Sequence, residues 1–137
     1  MLQFIHFVIV IVTIAFVIYA DEQGFMWMLG KKQTLSASRL HFLHQAVAFG
    51  LGALIISGGL LYVRAPIAYL SSTTFEIKMI AIAALIANTY AISRLSPLAA
   101  TSTFAASTPG QKRALFISGG VSVMGWVVAG VCGLMLG

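Results

Sequence analysis

The chain has 137 residues, 60% of them apolar and 8% charged, with a formal net charge of +5. A soluble domain carries about a quarter charged residues, so the outer surface of this chain is matched to lipid. The length allows one domain, residues 1–137. The basic residues form no patch on a polar fold, so nucleic acid is not an expected partner and the excess charge reads as membrane orientation.

Four apolar runs are long enough to cross about 30 Å of hydrocarbon, which takes roughly 20 helical residues. They cover about 2–20, 39–63, 72–92 and 114–137. The expected fold is all-α, an integral membrane bundle of four transmembrane helices. The first run competes with a signal peptide cleaved near Ala20. Its start, MLQFIH, has no Lys or Arg and its apolar stretch exceeds a usual signal core, so a retained span is expected.

Between the first two spans, residues 21–38 mix apolar and polar types. The FMWML stretch, Phe25–Leu29, lies on the membrane surface or continues the first helix. The link from Arg64 to Ser72 is short, with Tyr69 and Leu70 positioned to dip back toward lipid. Residues 94–113 are rich in Ser, Thr, Ala and Pro and read as an irregular link. Lys31, Lys32, Arg39, Arg94, Lys112 and Arg113 fall on the side reached after the first and third spans, whereas Arg64 and Lys78 fall on the other. Positive residues in short loops stay cytoplasmic. This places both termini outside the cytoplasm, in a bacterial inner membrane. Tyr19, Tyr62 and Tyr90 stand at span ends, where amphipathic rings prefer the interface.

Small residues mark the second and fourth helices, among them Gly58 and Gly59, then Gly119, Gly120, Gly125, Gly130, Gly133 and Gly137. Such residues let backbones approach in lipid. They serve either tight packing inside the bundle or, on the fourth helix, a face for a second copy or a membrane-complex partner. Cys132 is alone and permits no intrachain disulfide and no cysteine-based metal motif; it reads as a small packing residue. The two halves of the chain do not match as inverted copies, which gives little support to a transporter of that design.

Polar residues inside spans are costly and face the bundle interior, so each is a functional candidate. Depth sorts them into two levels. His6 lies about 6 Å into the first helix and Lys78 about 9 Å into the third, at 1.5 Å per residue. Glu76 points away from Lys78, two residues on. His44 and Gln45 enter from the opposite side, with Asn88, Thr89 and Ser118 near their level. His41, Asp21 and Glu22 lie closer to that surface. His6 and His44 differ in depth by on the order of 15 Å, so they cannot ligate one iron from both faces. His41 and His44, three apart, share a helix face. With Asp21 or Glu22 they form a weak candidate site for a divalent metal, against the plainer reading of interfacial histidines.

The histidine early in the first helix, in FIHF (Phe4–Phe7), and the FEIK sequence opening the third (Phe75–Lys78) resemble the bacterial four-helix superfamily around copper-resistance protein D. The same pair is similar to membrane protoporphyrinogen oxidases of the HemJ type. The run GLGALIISGGLL (Gly50–Leu61) is also similar to the small-residue kink of these families. The resemblance implies a haem b site with His6 and Lys78, its flat ring resting on Gly58 or Gly59. It does not extend to the first-helix continuation VTIAFVIYADE (Val12–Glu22), and so bears on the fold more than on the oxidase reaction. Read without the resemblance, His6 is a helix-end histidine bonded to backbone or water, and Lys78 is an anchor reaching back to the interface.

Three function classes follow. The first is a haem-binding redox protein. The second is a non-catalytic scaffold or accessory subunit. The third is a small metal or ion permeation protein using His6, Lys78 and Asn88. No nucleophile–base constellation, Walker motif or HExxH motif supports a hydrolase.

Overall fold

Each apolar run folds as one long helix whose ends are set by capping chemistry. The structure is a computed structural model, and it describes residues 1–136. Helix α1 spans Leu2–Met28, α2 Ala37–Arg64, α3 Pro66–Leu70, α4 Thr73–Thr101 and α5 Pro109–Leu136. Four of these are long and apolar enough to cross a membrane, and no strand occurs among the described residues. The chain is an integral membrane protein with an all-α, four-helix bundle fold. Gly137, which closes the expected fourth span, lies outside the described residues.

The helix limits decide between two expected readings at one place and correct the sequence reading at another. The first helix continues through FMWML to Met28. It stops there because Gly30, at φ +79, adopts the left-handed conformation that closes a helix. The Gly30 amide then donates to the Trp27 carbonyl and the Lys31 amide to the Met26 carbonyl. The expected irregular link over 94–113 is mostly helical, since α4 runs through Pro97 to Thr101. Helix α5 begins at Pro109 with a reciprocal cap. The Gln111 amide donates to Thr108 Oγ1 at 3.2 Å, and the Thr108 amide donates to Gln111 Oε1 at 2.9 Å. A Thr-x-x-Gln box with proline at the first helical position is a strong start signal. Ser36 and Ser72 cap α2 and α4 by accepting from the Arg39 and Phe75 amides.

Helices α1 and α2 form one antiparallel hairpin, α4 and α5 another. The registers are readable from contacts. In the first, His6 meets Ser57 and Thr13 meets Gly50. In the second, Lys78 meets Gly133 and Leu85 meets Gly125. Both chain termini and the α3 turn therefore lie at one end of the bundle, the terminal end. The 28–37 and 101–109 connections lie at the other, the loop end.

The two ends are finished differently. At the terminal end Tyr62, Tyr69 and Phe75 stack, with ring centroids 5.3 to 6.2 Å apart. This stack seats α3; Tyr69 is half-buried, while Leu70 faces outward. At the loop end Trp27, 1% exposed, packs with Leu35, Leu40 and Ala99. Its indole donates to the Ser102 carbonyl at 3.0 Å, and the Leu35 amide donates to the Ala99 carbonyl at 2.7 Å. These bonds tie one interhelical connection to the other. Large apolar residues such as Phe4, Ile18, Phe49, Ile80 and Leu134 face outward. The interior instead carries Thr13, Ser57, Asn88, Ser118 and Ser122. These polar side chains sit among buried apolar ones such as Val17, Leu43, Leu51 and Leu85, because packing and polar contacts rather than water exclusion hold such helices together in lipid.

Candidate functional sites at two levels of the bundle

The polar interior divides into a terminal-end level and a loop-end level. Helices α1, α2, α4 and α5 all contribute to each.

At the terminal-end level, His6 of α1 points into the bundle and its Nδ1 lies 2.6 Å from Ser57 Oγ on α2. The Ser57 hydroxyl also donates to the Leu54 carbonyl at 3.3 Å. A hydroxyl has one proton. With that proton directed at Leu54, the Ser57 oxygen accepts from His6 Nδ1–H, and the Nε2 lone pair is left outside the bond. Gly58 faces the same ring; a Cβ there would stand 3.6 Å from His6 Cε1. Gly59 is exposed with open space around it, so of the two expected glycines only Gly58 meets the histidine. Lys78 of α4 is half-buried. Its Nζ lies 3.5 Å from where a Cβ on Gly133 would be. Lys78 thus leans against α5 about one turn before that helix ends, while Glu76 faces outward.

At the loop-end level, Asp21 of α1 accepts from the Ser122 hydroxyl of α5, at 3.2 Å to one oxygen and 3.3 Å to the other. Asn88 Oδ1 of α4 accepts from the Ser118 hydroxyl at 2.8 Å. His44 of α2 lines the same cavity as Asp21 and Asn88. His41 and Glu22 are exposed and do not line it. The expected set His41, His44, Asp21 and Glu22 is therefore not brought together. No group of three or more His, Cys, Asp or Glu among the described residues is placed to hold a metal ion. Helix rotation is the reason. Asp21 turns toward α5, and the adjacent Glu22 lies about 100° further around α1.

Between the two levels lies a waist of close helix contacts within each hairpin. Thr13 fills the space in front of Gly50, and Leu85 fills the space in front of Gly125. Thr13, Leu85 and Gly125 are all buried. A histidine at each level lies on its own side of this waist, so His6 and His44 belong to separate environments.

Sequence reasoning missed Ser57 and Ser122, which position His6 and Asp21. A serine inside an apolar span is the signal that could have found them, because its hydroxyl needs a partner away from water. No protein-family model matches the chain, no curated protein matches it, and no solved structure matches it.

Proposed function

We propose that the protein is a haem-associated redox protein of the bacterial inner membrane, with His6 as the iron ligand and Lys78 as a second group of the same site. The observation that carries this reading is the His6–Ser57 pair at 2.6 Å. A ligating histidine characteristically donates its other ring N–H to a fixed acceptor, which sets the tautomer and aims the ligand nitrogen. Ser57, with its own proton directed at Leu54, provides that acceptor, and Gly58 faces the ring. The Lys78 ammonium provides positive charge at the same level, complementary to acidic groups on a porphyrin rim. Bound haem b would supply one-electron chemistry; the chain would supply the ligand and its orientation.

The resemblance of FIHF and FEIK to the copper-resistance-D and protoporphyrinogen-oxidase families points the same way. The basic residues near the loop end orient that end to the cytoplasm.

The test is the absorption spectrum of protein purified in mild detergent after expression with adequate haem supply. A Soret band in wild type that is lost in His6→Ala and weakened in Lys78→Ala supports the proposal. Identical spectra in all three proteins, with or without a band, remove His6 and Lys78 from any haem site.

A further inference from the structure

The loop-end level holds a cavity of about 150 Å³ that the haem reading does not use. Its polar wall includes Asp21, His44 and Asn88, and its aromatic wall Phe25, Trp27 and Trp126. Three of the four hydroxyl protons around it are committed, that of Ser96 being the exception. Ser122 donates to Asp21, Ser118 to Asn88, and Thr89 to the Leu85 carbonyl. The wall thus offers a guest the Asp21 carboxylate and oxygen lone pairs, beside donors from Ser96, the Asn88 amide and the Trp126 indole. No lysine or arginine lines the cavity, so the Asp21 charge has no basic partner there. A half-buried carboxylate inside the bundle calls for a cation or a proton. Aromatic faces attract the same kind of guest, most strongly where water is excluded. The volume sets the size: a cavity of about 150 Å³ admits one benzene ring.

We propose that this cavity is a binding site for a small organic ammonium ion, about the size of one aromatic ring, with Asp21 as its counter-ion and the Trp126 and Phe25 rings as its apolar wall. His44 shares the wall and, when neutral, leaves the carboxylate to the guest. Asn88 contributes an amide N–H₂ for a polar substituent. The site is independent of His6 and lies across the waist from it, so its failure would leave the haem reading untouched.

The chain has two tryptophans, and both line this cavity, so intrinsic fluorescence reports on it directly. The experiment titrates detergent-purified full-length protein with benzylammonium, and separately with benzyl alcohol as a neutral match of the same shape. It is run at about pH 8, where an ordinary imidazole is neutral. Saturable quenching by benzylammonium is expected, with benzyl alcohol at least about tenfold weaker. Asp21→Asn keeps an acceptor for Ser122 and should lower benzylammonium affinity about tenfold, to the level of the alcohol. Gly24→Leu should block both ligands. Gly24 lines the cavity, and no atom lies within 4 Å of where its Cβ would stand.

Equal affinity for the two ligands in wild type overturns the proposal, as does unchanged benzylammonium affinity in Asp21→Asn. A wild-type protein with no saturable response overturns it too. If Asp21→Asn does not fold, the wild-type comparison of the two ligands decides alone.

Discussion

The His6 ring is held at Nδ1 by the Ser57 hydroxyl, 2.6 Å away and 51 residues on in the chain. The bond crosses the α1–α2 interface and is continued to the Leu54 carbonyl. One serine thus joins two helices and meets one nitrogen of the histidine ring. That coupling separates a positioning role for Ser57 from a purely structural one.

Ser57→Ala should leave the imidazole in place without its acceptor. If His6 ligates haem, occupancy should fall by about tenfold or more, the usual cost of losing a partner behind a ligating histidine. The redox midpoint should move as well. Stability should fall by only about 1 kcal/mol, since one hydrogen bond is lost. Ser57→Thr, which keeps the hydroxyl, should restore haem content. Soret absorbance per mole of protein, read beside thermal unfolding in detergent, distinguishes the two effects. Loss of stability with unchanged haem content would confine Ser57 to packing.

The waist gives a sharper packing prediction. A Cβ at residue 125 would lie 2.7 Å from Leu85 Cδ2, and one at residue 50 would run into the Thr13 side chain. Overpacking of this kind costs about 1–3 kcal/mol. Gly50→Ala and Gly125→Ala should each destabilise the bundle by that order, whereas Gly52→Ala, with open space around it, should not. Combining Gly50→Ala with Thr13→Ala should cost less than the two single changes added together, because the offending Oγ1 and Cγ2 are gone. Unfolding in a denaturing detergent series measures these variants and the Thr13→Ala single change. Additive losses would mean that Thr13 is not what Gly50 accommodates.

These two cases also mark what the sequence makes legible. Span number and helix type follow from hydropathy alone, and the depth of His6 and Lys78 follows from counting residues from a span end. Counting gives height but not rotation. The Ser57 and Ser122 partnerships, the outward turn of Gly59 and the dispersal of the His41, His44, Asp21 and Glu22 set all depend on rotation about helix axes. The amphipathic signal that reveals it in water is absent where lipid makes most of the surface apolar. The link over 94–113 failed for a different reason. Ser, Thr and Pro signal loops in water, but α4 continues through Pro97 because Ala99 and Leu98 dock beside Trp27. Serine and threonine hydroxyls then satisfy nearby carbonyls, Thr101 that of Pro97 and Ser102 that of Leu98. Membrane helices tolerate proline on such terms. The Thr108-Pro109-Gly110-Gln111 box was a readable start signal within the same stretch.

Trp27 should be the side chain on which the loop end depends most. It is the largest fully buried residue, stacks edge-on with Phe104 at 5.4 Å and donates to Ser102. Trp27→Ala should cost about 3–5 kcal/mol. Trp27→Phe should cost much less, about 1 kcal/mol for the lost hydrogen bond plus a smaller packing loss. Limited proteolysis across 28–37 and 101–109 should accelerate in Trp27→Ala, because both connections are fastened through it. Unchanged cleavage in both segments would show that the connections are held by something else.

Orientation can be tested with the single native cysteine, Cys132, which is buried. In a Cys132→Ser background, Ile67→Cys would place a thiol on exposed α3 at the terminal end, and Gln33→Cys would place one on the exposed connection at the loop end. The excess of Lys and Arg toward the loop end, Lys31, Lys32, Arg39, Arg94, Lys112 and Arg113, should keep that end in the cytoplasm. A membrane-impermeant maleimide applied to intact spheroplasts should therefore label Ile67→Cys at once, and Gln33→Cys only after permeabilisation. The opposite pattern would invert the topology and place the His6 level on the cytoplasmic side. Charge-swapped variants then give the cause. Replacing Lys31 and Lys32 with Gln should increase the fraction of inverted molecules, because positive charge in short loops is what holds the orientation.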